Sequence, residues 1–208
     1  MTRDPLTPDN AALVLLDHQT GIMQGVQDFG PAEFRNNVLA LAKIGRLFEL
    51  PVVLTTSYDE GPNGPLLPDL VAMFPKAPLV RRPGQINAWD DPNFVAAVRA
   101  TGRSKLIMAG VTWDVCLAFP ALSAAAEGFD VRAVVDASGT WNVAAQVATN
   151  HRLAMAGVVP CNWVAVAAEL QRDWRAPTGP QLAQLFHDHL TFYGMLMDNH
   201  AAATAAKG

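Results

Sequence analysis

The sequence predicts an α/β protein, three layers in the order α/β/α, built on a parallel sheet of about six strands. Three observations carry this. Short apolar runs recur along the chain, and most end in a polar residue. Stretches with apolar residues at three- and four-residue spacing lie between them, as on one face of a helix. Gly, Pro, Asn and Asp punctuate the changes from one to the other. Strands that alternate with helices imply a parallel sheet covered on both faces. The 208 residues, half of them hydrophobic and 16% charged, suit one domain, 1–208, with a sizeable core.

The elements follow in order. Ala11–Leu16 reads as a buried strand ending at Asp17-His18-Gln19. Pro31 and Glu33 open a helix that continues through Val38, Leu41, Ile44 and Phe48. Val52–Thr56 is a second strand, followed by a turn-rich loop from Ser57 to Pro65. Leu79-Val80 predicts a short third strand ahead of Arg81-Arg82-Pro83-Gly84. Asp91-Pro92 has the form of an N-cap with proline at the first helical position. Leu106–Ala109 is the fourth strand, and a helix covers Ala118 to Glu127 before Gly128. Val131–Val135 is the fifth strand, ending in Asp136-Ala-Ser-Gly-Thr140. A helix covers Ala144 to Ala156, and Val158-Val159 is a short sixth strand. Two further helices are expected over Trp163–Arg172 and Pro180–Leu190. The tail from Phe186 to Met197 is apolar enough to predict a contact with other copies, and the last residues, from Ala201 on, are expected to fray.

Composition excludes several classes. The net charge is −4 without a dense basic stretch, which argues against a nucleic-acid partner. The polar N-terminus and the absence of a long apolar run argue against a signal peptide and a membrane span. Two cysteines form neither a disulfide framework nor a zinc pattern, so a cytoplasmic, reducing compartment is expected. No glycine fingerprint for a dinucleotide follows any strand, and no cofactor is expected.

In parallel sheets, ligands bind beyond the carboxyl ends of the strands. Asp17, Ser57, Arg82, Cys116 and Asp136 all stand at or just after such ends. Cys116 sits where a strand gives way to a helix, a place that favours a thiolate. Its alternative role is that of a small buried hydrophobe. Cys161, also after a short strand, has no acid–base partner in sight and reads as structural. Asp17 fits either a turn cap or a general base. One of Arg81 and Arg82 would hold that carboxylate ionised; composition does not choose between them.

Segments spread along the chain resemble the isochorismatase-like cysteine hydrolases, and within them the YcaC-type group. They include Leu15-Leu-Asp-His-Gln19, Leu54-Thr-Thr-Ser57, Gly61-Pro-Asn-Gly-Pro65, Arg82-Pro-Gly-Gln-Ile-Asn-Ala-Trp-Asp90, Cys116-Leu-Ala-Phe-Pro-Ala-Leu-Ser123, Asp136-Ala-Ser-Gly-Thr140 and Arg172-Asp-Trp-Arg175. The resemblance implies a Rossmann-like topology and a catalytic set of Asp17, Arg82 and Cys116. Arg82 stands where most of the family has lysine, though the YcaC-type group shares the arginine. Arginine stays protonated, so Asp17 would carry the proton transfers. The resemblance also implies a non-proline cis peptide, by position Thr112–Trp113, in a turn that aims backbone N–H groups, Cys116's included, at a substrate oxyanion. Gln19, Asn87, Trp89 and Trp141 are candidate pocket residues, and Trp113 reads either as a wall packed on the next helix or as pocket lining. The nicotinamidases of the family bind metal through an Asp and His cluster after the second strand; Ser57 to Leu67 holds no histidine, so no metal is expected. The implied activity is hydrolysis of a small amide-like C–N substrate through a thioester, in a homo-oligomer. The alternative is a non-catalytic binding or scaffold oligomer on the same fold.

Overall fold

The structure is a computed structural model that describes residues 4–206. Among them lie six parallel strands: β1 (Ala11–Leu16), β2 (Val52–Ser57), β3 (Leu79–Arg82), β4 (Lys105–Gly110), β5 (Asp130–Val134) and β6 (Val159–Cys161). The spatial order is β3-β2-β1-β4-β5-β6. The chain winds outward from β1 to β3, then returns to lay β4 against the other side of β1. Every residue of β1 and β4 is buried, which explains why these strands read as unbroken apolar runs rather than alternating ones. Alternate residues feed two cores. Ala11, Leu13 and Leu15 pack on one face, and Ala12, Val14 and Leu16 on the other.

The helices are α1 (Pro31–Leu47), α2 (Pro68–Met73), α3 (Pro92–Ala100), α4 (Ala118–Ala126), α5 (Val143–Met155), α6 (Trp163–Gln171), α7 (Gly179–His189) and α8 (Thr191–Ala205). Side chains of α1, α6 and α7 build the first core, and those of α3 and α4 the second. The expected cap at α3 is present: the Asp91 carboxylate accepts from Asn93 N–H at 2.8 Å and Phe94 N–H at 3.3 Å.

Some expectations are corrected. The third strand extends to Arg82, and the sixth lies one residue later, at Val159–Cys161. Helix α2, opened by Pro68, was not anticipated. The tail is not frayed at Ala201: helix α8 runs to Ala205, and alanine favours this state. Lys207 and Gly208 lie outside the described residues. Phe186, expected in a contact with other copies, belongs to the core, where its ring meets those of Trp163, Trp174 and Tyr193. Among the described residues no helix is long and apolar enough to cross a membrane.

Candidate active site

The switch in winding direction between β1 and β4 brings distant residues side by side. Asp17 follows β1 with φ 55°, a left-handed conformation that Asp tolerates better than most residues. Its N–H still donates to Thr55 of β2, at 3.0 Å. Its side chain is fully buried, and both carboxylate oxygens accept from Arg82 Nη2 at 2.5 Å. Arg82 closes β3, two strands away, and is 1% exposed. Its Nε donates to Thr55 Oγ1 at 3.0 Å, and its Nη1 to the carbonyls of Gln85 and Ile86. Thr55 Oγ1 donates in turn to Val80 O at 2.8 Å. The guanidinium is thus fixed by a strand hydroxyl, a loop and the carboxylate. Strand alternation turns Arg81 the other way, to an exposed pair with Asp59 at 2.9 Å, so it is Arg82 that reaches Asp17.

Cys116 arrives from the other side of β1. After β4 the chain passes Gly110, where a Cβ would lie 2.8 Å from both the carbonyl oxygen and the Cβ of Leu16. Only glycine allows β1 and β4 to approach so closely at their carboxyl ends. A non-proline cis peptide follows at Val111–Thr112, one residue earlier than expected, and then a π-helical turn over Trp113–Leu117. The half-buried Cys116 thiol lies beside the Asp17 carboxylate and the Thr112 N–H, near enough for both to act on its acidity. The Asp136–Thr140 segment braces the turn. Ser138 Oγ accepts from Gly110 N–H at 2.9 Å, Gly139 O from Trp113 N–H at 2.9 Å, and Thr140 Oγ1 donates to Asp114 at 2.8 Å.

Electrostatics correct one expectation. Burial, with the negative charge of Asp17 behind it, pushes the Cys116 thiol up to about 12, against the opposing pull of the Thr112 N–H and Arg82. The resting group is a neutral thiol, because desolvation outweighs the favourable surroundings foreseen from its place at a helix start. Burial also raises the Asp17 carboxyl above its ordinary value, while the charge and hydrogen bonds of Arg82 draw it back. The cluster is a thiol beside a carboxylate, and a guanidinium that holds that carboxylate in place.

The other expected residues divide. Trp113 is fully buried in the second core, and its N–H is committed to Gly139, so neither its ring nor its amide faces a pocket. Gln19 is buried with its amide fully engaged, to Ser57 N at 2.8 Å, Ser57 O at 3.1 Å and Gly64 O at 2.6 Å; it clamps the loop after β2. Trp89 is a packing residue, edge-on to Phe94 and Phe129, with its N–H donating to Glu127 at 2.9 Å. Asn87 caps the short turn at Ala88–Asp90 and donates to Ser123 Oγ at 3.2 Å. Trp141 alone of the tryptophans considered is well exposed, with its ring against Gly25. The Asp136 carboxylate accepts from Trp163 N–H at 2.9 Å, capping α6, and burial raises it to about 6. Thr55 and Ser138 were missed; hydroxyls inside or just beyond buried strands were their only signal. A cleft of about 270 Å³ lined by Tyr58, Asp59, Glu60, Arg81, Arg82 and Pro83 adjoins the site. Among the described residues no group of three His, Cys, Asp or Glu is arranged to hold a metal ion.

The fold is a doubly wound α/β/α sheet with an Asp, an Arg and a Cys gathered at its switch point. Residues 11–165 match the isochorismatase domain, and the chain belongs to the isochorismatase family. It is 50% identical over 202 residues to the probable hydrolase YcaC of Escherichia coli (strain K12), covering 97% of both chains. Two solved structures superpose closely. YcaC from Pseudomonas aeruginosa, with hexane-2,5-diol and covalent acrylamide, gives a TM-score of 0.93 at 50% identity, covering 97% of this chain and 99% of that one. The Escherichia coli YcaC structure, described as an octameric hydrolase of unknown specificity, gives 0.95 at 49% identity, covering 98% and 99%.

Proposed function

We propose that this hydrolase cleaves a small amide-like C–N substrate through a thioester on Cys116. The observation that carries the reading is the Cys116 thiol set beside the Asp17 carboxylate, which Arg82 grips with 2.5 Å contacts. Asp17 takes the thiol proton as the sulfur attacks the substrate carbonyl carbon, and the carbonyl electrons move to oxygen. Because the resting thiol is neutral, removal of its proton belongs to the attack itself, and a carboxyl raised by burial is the stronger base for it. The oxyanion is assigned to backbone N–H groups of the turn after the cis peptide, that of Cys116 among them, as the family resemblance implies. Collapse breaks the C–N bond, and the amine leaves with the proton from Asp17. Asp17 then takes a proton from water as it attacks the thioester, and returns it to the departing sulfur. Arg82 stays protonated throughout, holding the base in place.

The covalent acrylamide on the Pseudomonas aeruginosa relative supports a nucleophile in this group of proteins, since acrylamide is an electrophile that carries an amide. We also infer that the chain assembles with copies of itself, as the octameric Escherichia coli relative does. Incubation with acrylamide followed by peptide mass spectrometry tests the first reading. An adduct on Cys116, with hydrolysis from a panel of small amides that is lost in Cys116→Ala, is expected. Modification of Cys161 alone, or turnover that survives Cys116→Ala, would end it.

A further inference from the structure

We propose that His18 is a positioning residue of this site: its buried imidazole ties the turn that carries Asp17 to the segment that braces Cys116, and so sets the carboxylate against the thiol. The proposal rests on the reading of Asp17 as the base and deepens it.

The β1–β4 ladder does not reach this far. It ends where Val111 N–H donates to Leu16 O at 3.1 Å. Past that point the two chains part. Asp17 turns its N–H to Thr55 of β2, and its φ of 55° takes it out of the strand. The Asp17 carbonyl accepts from Gln19 N–H at 2.7 Å, which folds residues 17–19 into a tight turn with His18 at its corner. Gln19 fastens that turn to the loop after β2. His18 reaches the other way. Its Nε2 lies 2.9 Å from the carbonyl oxygen of Ala137, 119 residues further along the chain. A carbonyl only accepts, so Nε2 carries the hydrogen. The three residues after Ala137 hold the turn of Cys116: Ser138 Oγ accepts from Gly110 N–H, Gly139 O from Trp113 N–H, and Thr140 Oγ1 donates to Asp114. One imidazole thus grips the segment that grips the nucleophile's turn.

The ring is fully buried and stacks on Phe34 of α1 with centres 6.4 Å apart. Burial pushes it down to about 4, so it is neutral and a poor proton acceptor. A neutral ring that donates through Nε2 leaves Nδ1 a bare acceptor, and among the described residues that buried nitrogen has no partner. An unpaired buried acceptor is destabilising. A leucine or phenylalanine would pack on Phe34 without stranding a polar atom. What the imidazole adds is one directed bond between base and brace.

The experiment reads Cys116 without needing turnover. Wild type, His18→Phe and His18→Gln are treated with iodoacetamide at about pH 8, and each cysteine is followed by peptide mass spectrometry. Asp17 is one cause of the raised Cys116 thiol. Once the carboxylate is no longer held against the sulfur, the thiol becomes more acidic. Each unit gives about tenfold more thiolate, partly offset by weaker nucleophilicity, a net gain of about threefold in rate. His18→Phe should therefore alkylate faster at Cys116, with Cys161 unchanged, while amide turnover falls about 10- to 100-fold at constant KM. His18→Gln, whose amide nitrogen donates near the same place, should return both toward wild type. General loosening would instead speed both cysteines together. Cys116 alkylated at the wild-type rate, both cysteines accelerated alike, or a His18→Gln variant no better than His18→Phe would overturn the proposal. A wild type that hydrolyses none of the small amides would end the hydrolase reading, and the alkylation rates would still decide whether His18 holds Asp17 against Cys116. Should His18→Phe fail to fold, His18→Leu carries the same expectations.

Discussion

Cys116 and Cys161 invite comparison because so much about them is equal. Each stands at or beyond the carboxyl end of a strand, each is half-buried, and burial is the chief reason each thiol is pushed up to about 12. They differ in what stands beside them. Cys116 lies beside a buried carboxylate that a guanidinium grips from behind. Cys161 feels Arg132, Asp136 and Glu169 through charge alone. The contrast teaches that resting acidity does not separate the two thiols; the buried carboxylate beside one of them does. The largest effects should therefore separate the two cysteines. Cys116→Ala should abolish turnover, a loss of about 10⁴-fold or more, while Cys161→Ala should leave kcat/KM within a factor of about two, since nothing in the proposed chemistry reaches it. Equal losses in steady-state assays would erase the distinction.

Asp17→Asn sharpens it. The loss of a general base costs about 10²- to 10⁴-fold, so turnover should fall by that much. The Asp17 charge and hydrogen bond are also two of the causes that raise the Cys116 thiol. Their removal lowers it, so the thiolate absorbance near 240 nm should appear at lower pH than in the wild type. A variant with a more acidic thiol and less activity would show that proton transfer, not thiolate population, limits the reaction. A Cys116 titration that stays put would break the proposed coupling.

Much of this was legible in the sequence because the strands that form the site are buried on both faces and read as apolar runs with abrupt polar ends. Asp17 and Cys116 stand out at such ends. Composition did not choose between the adjacent Arg81 and Arg82; the family resemblance pointed to Arg82, and pairing of β3 in register, Ser57 opposite Arg82, turns that side chain inward. The cis bond was placed one residue too late: it joins Val111 to Thr112, not Thr112 to Trp113. Trp89 and Trp113 were candidates for the pocket by nearness in sequence to the strand ends, but large rings find most of their stabilisation in packing. Gln19 misled for a related reason: its amide is polar and near the site, yet loop backbone consumes all of it. Helix α8 shows no clean amphipathic period, because it meets α7 closely at one point, Gly194, and leaves the rest of its surface open.

Arg82→Met should act through the base rather than the sulfur. Removing one partner of a buried pair costs about 3–5 kcal/mol, measurable as a lower denaturant midpoint. It also deletes the charge and hydrogen bonds that draw the Asp17 carboxyl down. Asp17 would then hold its proton to higher pH, so the acid limb of the activity profile should move upward. The sign is fixed: activity needs the carboxylate, and the substitution favours the carboxylic acid. A limb that stayed in place, or moved to lower pH, would mean that Asp17 is not the titrating base.

The smallest effect tests whether positioning alone matters. Thr55 Oγ1 accepts from Arg82 Nε and donates to Val80 O, so Thr55→Val, close in shape, removes two hydrogen bonds and leaves a buried guanidinium N–H unpaired. A lost hydrogen bond to a charged group costs about 1.5–3 kcal/mol, so stability should fall by about 2 kcal/mol. The guanidinium keeps its contacts to Asp17 and to the Gln85 and Ile86 carbonyls. Turnover should therefore drop only a few-fold, with no change in the alkylation rate of Cys161. A loss as deep as that of Asp17→Asn would mean that the base depends on the β2 hydroxyl as much as on its own pairing, and that the difference between the two cysteines extends to the strand behind Arg82.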